Sequence, residues 1–109
     1  MIRVIIERHC KPERCAEMEQ LLMELRTKAT LYHGYISGET LHSRDDPSFW
    51  LVISTWVDID SWKAWEKSTK RDEVALKIDP LLTEPEKVTV FDFARRGVTM
   101  SAHMLDELS

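Results

Sequence analysis

Two titratable side chains alternate along the opening stretch IRVIIERH: Glu7 and His9 share one face of an extended segment with Arg3 and Ile5. A carboxylate and an imidazole on one face can move a proton to or from a bound molecule. Burial raises the pKa of a carboxyl, and an imidazole already titrates near neutrality. Glu7 is therefore the expected acid/base group, with His9 as its companion. The competing reading pairs Glu7 with Arg3 or Arg8 at a sheet edge and leaves His9 solvated at a strand end.

The second cluster is aromatic. All four tryptophans, Trp50, Trp56, Trp62 and Trp65, fall in SFWLVISTWVDIDSWKAWEKS, residues 48–68. Trp62 and Trp65 are three apart, hence neighbours on a helix surface. They can wall a pocket for a flat ring or simply pack the helix on a sheet. Trp50, Trp56 and Trp62 suit the core or a subunit interface, with Trp62 also near enough to touch a ligand, while the pocket role of Trp65 is what the family resemblance given below implies. Ile5 and Ser61 complete the expected substrate-binding set.

Other chemistry is sparse. His33, His42 and His103 stand alone, and no Ser-His-Asp arrangement, glycine-rich phosphate loop or metal-ligand spacing is present, so neither a metal nor another cofactor is expected. Cys10 and Cys15 form a C-x4-C pair with no second pair to complete a zinc site. Cys15 shares a helix face with Met18 and Leu22 and reads as a small core residue. A disulfide is not expected in a reducing compartment.

These residues need a scaffold. Ile2 to His9 is rich in branched apolar residues and predicts a strand. Lys11-Pro12-Glu13 opens a helix, since proline suits the first turn and acidic residues favour its positive end. Cys15, Met18, Leu22, Leu25, Ala29 and Tyr32 continue it at a period near 3.6, and Gly34 ends it. Strands over 34–43 and Phe49 to Val57 follow, joined by the Arg44-Asp45-Asp46-Pro47 turn. Gly34 and Gly38 suggest a bulge or close approach in the first of them. A second helix runs from about Ile59 to Ser68, capped by Asp58 or Asp60. Thr69 to Lys77 continues it or forms a short extra helix, and Val88 to Ala94 is the last strand.

The order β-α-β-β-α-β is the ferredoxin-like α+β arrangement, an antiparallel sheet with two helices on one face. Strand Phe49–Val57 is apolar on both faces, so its other face also needs cover. A second copy of the sheet supplies it most simply, predicting a homodimeric α+β barrel. Residues 1–94 form the domain. The tail, 95–109, carries Met100, Met104, Leu105 and Leu108 at helical spacing and is read as a short segment that lies on a partner subunit or stays free.

The chain has 109 residues, a net charge of −4 and no basic run. That argues against a nucleic-acid surface, and no stretch is long enough for a membrane span. An early charge at Arg3 and the lack of a small-residue cleavage site leave a cytoplasmic location as the expectation.

GYISGETLHS followed by FWLVISTWVDIDSWKAWEKS resembles the antibiotic biosynthesis monooxygenase domain, of the dimeric α+β barrel group. The matching positions are Gly34, Tyr35, Glu39, Trp56, Trp62, Trp65 and Ser68, with Glu7 five residues before Pro12 suiting the first strand. The resemblance covers about residues 1–94. It implies a cavity between sheet and second helix where a flat molecule meets oxygen. A heme-degrading member would need an Asn on the first strand and a His ten residues beyond the helix Trp. This chain has no Asn, and the tenth residue after Trp65 is Ala75. The missing Asn also counts against a polyketide-oxygenase site of the usual kind. The expectation is thus cofactor-independent oxidation of a small aromatic or quinol-like compound. The alternative is a non-catalytic barrel that binds a small hydrophobic ligand.

Overall fold

The computed structural model describes residues 1–94. Four strands and three helices follow in the order β1 (Ile2–His9), α1 (Cys15–Ala29), β2 (Tyr35–His42), β3 (Phe49–Trp56), α2 (Ile59–Glu66), α3 (Thr69–Ile78) and β4 (Lys87–Asp92). Short 3-10 turns cover Pro12–Arg14 and Asp79–Leu81. The strands form one antiparallel sheet in the order β2-β3-β1-β4, the ferredoxin-like α+β arrangement expected. The tail 95–109 lies outside the described residues.

Strand β1 is central, pairing with β3 through Ile2↔Trp56 to His9↔Phe49 and with β4 through Ile2↔Asp92 to Glu7↔Lys87. Its even positions, Ile2, Val4, Ile6 and Arg8, are buried beneath the helices. Opposite them on β3 stand Trp56, Ser54, Val52 and Trp50. Met18, Leu22, Leu25 and Ala29 of α1 close over this face. The odd positions Arg3, Ile5, Glu7 and His9 occupy the outward face with Phe49, Leu51 and Ile53. That face keeps Leu41 at 46% and Phe91 at 47% exposure. The expected bulge in β2 is present, as a register shift between Tyr35 and Ser37.

Thr69–Ile78 is a helix in its own right. Ser68 breaks the run: its backbone is extended, its Oγ donates to Trp65 O at 2.7 Å, and the same Oγ accepts from Arg71 N–H at 3.2 Å. One serine thus ends α2 and caps α3. Asp58 caps α2 in the same way, accepting from Ser61 N–H at 2.8 Å. Gly34, at φ 89°, makes the turn between α1 and β2, and a Cβ there would strike the Ser61 side chain. Both the backbone and the packing therefore require glycine at this point.

The cysteines overturn an expectation. Cys10 and Cys15 form a disulfide, with Cα atoms 5.4 Å apart. The 3-10 turn at Pro12–Arg14 folds the chain back so that the end of β1 and the first residue of α1 come within bonding reach. A compartment argument says nothing about that geometry.

Candidate functional site

Between the sheet and the helices lies a narrow cavity of about 50 Å³. A few waters fit there, and a ring needs the walls to give slightly. The walls are mainly aromatic. Trp62 and Trp65 descend from α2, Trp56 rises from β3 and Tyr35 from β2. Trp56 and Trp62 meet edge to face at 5.9 Å, Tyr35 and Trp56 at 5.4 Å, and Tyr32 supports Trp65 from behind at 5.1 Å. Edge-to-face contacts hold rings at fixed angles, so the pocket wall is preorganised. The Trp56 ring N–H is satisfied by Ser54 Oγ at 3.0 Å. Gly38 leaves the space that the Tyr35 hydroxyl occupies, because a Cβ there would collide with it.

The polar end of the cavity is formed by Arg8 and Arg71, and Arg26 and Glu39 line the cavity as well. Arg8 extends from β1 and is 1% exposed, and Arg71 extends from the first turn of α3 and is 7% exposed. Glu86, in the segment before β4, bridges them. Arg8 Nε donates to Glu86 Oε2 at 2.9 Å, and Arg71 Nη2 donates to Oε1 at 3.2 Å. Arg8 Nη2 lies 2.8 Å from Oε2 as an ionic contact, and it, Arg8 Nη1 and Arg71 Nε are buried without a hydrogen-bond partner. The Arg71 guanidinium also lies 5.9 Å from the centre of the Trp62 ring. Burial pulls the Arg8 guanidinium below its ordinary pKa, and Arg71 adds to this, while Glu86 opposes it. Two guanidinium groups thus share one directly bonded carboxylate, with Asp79 acting on Arg8 at longer range.

The expected site residues divide between the two faces of the sheet. Trp65, given its pocket role by the family resemblance, and Trp62, read mainly as a core residue, line the cavity together. Glu7, His9 and Ile5 do not reach it, because the two-residue period of β1 turns them outward. Glu7 sits 3.9 Å from Lys87, and His9 stacks on Phe49 at 4.5 Å and lies 3.8 Å from Glu84. None of these three lines the cavity. Ser61 is buried against Gly34 at the far end of α2 and borders a separate surface groove with Tyr32 and Asp58. It too lies away from the cavity lining. Arg8, Arg71 and Glu86 were the functional groups missed. Arg8 had a legible signal, a charge on the strand face shared by Ile2, Val4 and Ile6.

Among the described residues no group of three His, Cys, Asp or Glu side chains converges as metal ligands would, and no helix is long and apolar enough to cross a membrane.

The fold is shared with solved structures. SnoaB of Streptomyces nogalater, a cofactor-independent oxygenase solved as a point mutant, superposes with a TM-score of 0.79 at 16% identity, over 88% of this chain and 95% of that one. Rv0793 of Mycobacterium tuberculosis gives 0.80 at 18% identity, over 89% and 98%. A conserved protein of Methanosarcina mazei Go1 gives 0.79 at 20% identity, over 83% and 89%. Identities this low establish a common fold and leave the chemistry to the site. None of the curated proteins matches the chain in sequence. The family model for antibiotic biosynthesis monooxygenases matches residues 1–75, from β1 into α3. A match over that span, joined to the sheet order and the aromatic cavity, makes this chain a member of the antibiotic biosynthesis monooxygenase family.

Proposed function

We propose that the protein is a cofactor-independent monooxygenase acting on a small aromatic or quinol-like compound in the cavity between sheet and helices. The observation that carries this reading is the convergence of Trp56, Trp62, Trp65 and Tyr35 with a buried cationic end. The aromatic walls orient a flat ring and exclude water. The cation stabilises the enolate or phenolate that forms when the substrate loses its proton. That carbanion-like species reduces oxygen directly. In an anthrone-like substrate a methylene becomes a carbonyl, one oxygen atom entering the product and the other leaving as water. The substrate supplies all the electrons, so no external reductant enters the balance.

The outward sheet face, with Ile5, Leu51, Ile53, Leu41 and Phe91, suits a second copy of the chain and the homodimeric barrel. A cytoplasmic location rests on the sequence alone, and the Cys10–Cys15 disulfide does not support it. One observation favours the second reading, a non-catalytic binder of a small hydrophobic ligand. Glu86, behind the lining, already accepts from both guanidinium groups and is no free base, which leaves Glu39 as the one carboxylate in the cavity lining.

Oxygen uptake by the metal-stripped protein with a panel of anthrones and hydroquinones separates the two. Uptake above the spontaneous rate that falls in Trp65→Ala supports the oxygenase. Uptake equal to the spontaneous rate across the panel leaves the binding protein.

A further inference from the structure

Arg8 is the unusual residue of this cavity. A guanidinium offers five N–H donors and accepts nothing, and leaving buried donors unmade is costly. Glu86 accepts from Nε, yet Nη1 and Nη2 are buried without a hydrogen bond, Nη2 keeping only its ionic contact to Glu86, and Arg71 Nε is buried in the same state. Both residues line the cavity. The cluster is therefore incomplete in two ways: two guanidinium groups share one directly bonded carboxylate, and three of their nitrogens lack a hydrogen bond. A neutral ligand repairs only the second deficit. An anionic oxygen repairs both.

We propose that the Arg8–Arg71 end of the cavity is an anion site, and that its ligand is a small aromatic acid whose ionised oxygen accepts from Arg8 Nη1 while its ring lies against Trp62 and Trp65. This deepens the monooxygenase reading and rests on its assignment of the cavity as the substrate site. The class excluded is the neutral hydrophobic molecule, which would bury beside two guanidinium groups without compensating them. The anion arrives ionised or ionises on binding, because the positive site favours the charged form of the ligand. Glu86 then acts as a positioning residue. It fixes the two guanidinium planes and cancels part of their charge, so that the site attracts a single anion.

Two ligand types carry this chemistry, carboxylates and acidic phenols. The test is calorimetric titration of the whole protein with benzoate, with 4-nitrophenolate under mildly alkaline conditions, and with benzamide as the uncharged shape match. Expected is an affinity for at least one of the anions that exceeds benzamide by tenfold or more, about 1.4 kcal/mol. Arg8→Gln should abolish that preference while leaving benzamide binding in place. Glu86→Gln, which removes the internal counter-charge, should tighten the anion several-fold and leave benzamide unchanged, a change that a purely structural ion pair would not produce. Should Arg8→Gln fail to fold, the Glu86→Gln comparison decides alone. Benzoate and 4-nitrophenolate that bind no better than benzamide overturn the anion site and leave the cavity standing as an aromatic pocket. Binding by none of the three overturns the cavity assignment as well. A preference for benzoate over 4-nitrophenolate identifies a carboxylic acid as the ligand, and the reverse identifies an acidic phenol.

Discussion

Arg8 and Glu86 stand 78 positions apart in the chain and meet at 2.9 Å, the guanidinium from the middle of the sheet and the carboxylate from the approach to β4. The contact ties the central strand to the last one and reaches α3 through Arg71, 3.2 Å from the other Glu86 oxygen. A single carboxylate therefore sits between two buried cations, and its removal is felt by both.

Glu86→Ala should destabilise the fold by about 3 kcal/mol, because two buried guanidinium groups then face each other without a counter-charge. Arg8→Met should cost distinctly less, since Arg71 and Glu86 remain paired and the methionine keeps an apolar stem of similar reach. Urea unfolding of the two variants checks the order. A larger loss for Arg8→Met would show that Arg8 acts mainly through packing.

Glu7→Gln should leave ligand binding and oxygen uptake unchanged, because Glu7 faces away from the cavity and has only the exposed Lys87 beside it. Trp65→Ala should abolish both and cost about 3–5 kcal/mol of stability, as expected for deleting a buried tryptophan. Trp65→Phe separates the effects by retaining much of the packing with a smaller wall. Uptake that falls in Glu7→Gln would return the proton-transfer role to the outward face.

Reduction of the Cys10–Cys15 bond should lower stability by about 2 kcal/mol, the chain-entropy expectation for so short a loop. Urea midpoints with and without dithiothreitol measure it. Alkylation by iodoacetamide before reduction should modify neither cysteine.

Asp58 predicts an acid dependence. Hydrogen bonds from Ser61, first from its backbone N–H and then from its side chain, hold the Asp58 carboxyl below its ordinary pKa. Folded below unfolded means stabilisation that is fully present above the unfolded value, about 3.9, and lost as pH falls through the lower folded one. Asp58→Asn keeps a capping oxygen but cannot titrate, so its stability should decline less below about pH 4. Urea midpoints collected down the acid range test this. Asp46, lowered by its hydrogen bonds from Ser48, leaves part of the slope in place.

The sequence is informative where one physical rule acts alone. Branched apolar residues marked β1 and β3, and Asp58 and Gly34 marked the start of one helix and the end of another through ordinary capping chemistry. Helical spacing made Trp62 and Trp65 neighbours, and the family resemblance supplied the pocket role of Trp65. The polar end of the site was harder. The same alternation that put Glu7 outward put Arg8 inward, so β1 itself distinguished them. What alternation cannot supply is a partner, and Glu86 lies in an irregular segment after Pro85 with no periodicity to orient it. Arg71 was hidden in the same way, since its burial depends on Ser68 deciding between a continued helix and a separate one, both of which the sequence left open. The disulfide was missed for a different reason: whether two cysteines meet is decided by a three-residue turn, and spacing alone cannot show that.

The division of β1 by parity has a broader consequence. One strand, a single backbone thick, is a partition between two compartments of the molecule, and neighbouring residues answer to different constraints. Even-numbered positions can change only as the cavity allows, odd-numbered ones only as the outer surface allows. A one-residue insertion after Ile2 would exchange the two sets, sending Arg8 to the surface and Glu7 beneath the helices. Within β1, the sign of the charge inside this protein is therefore a matter of counting.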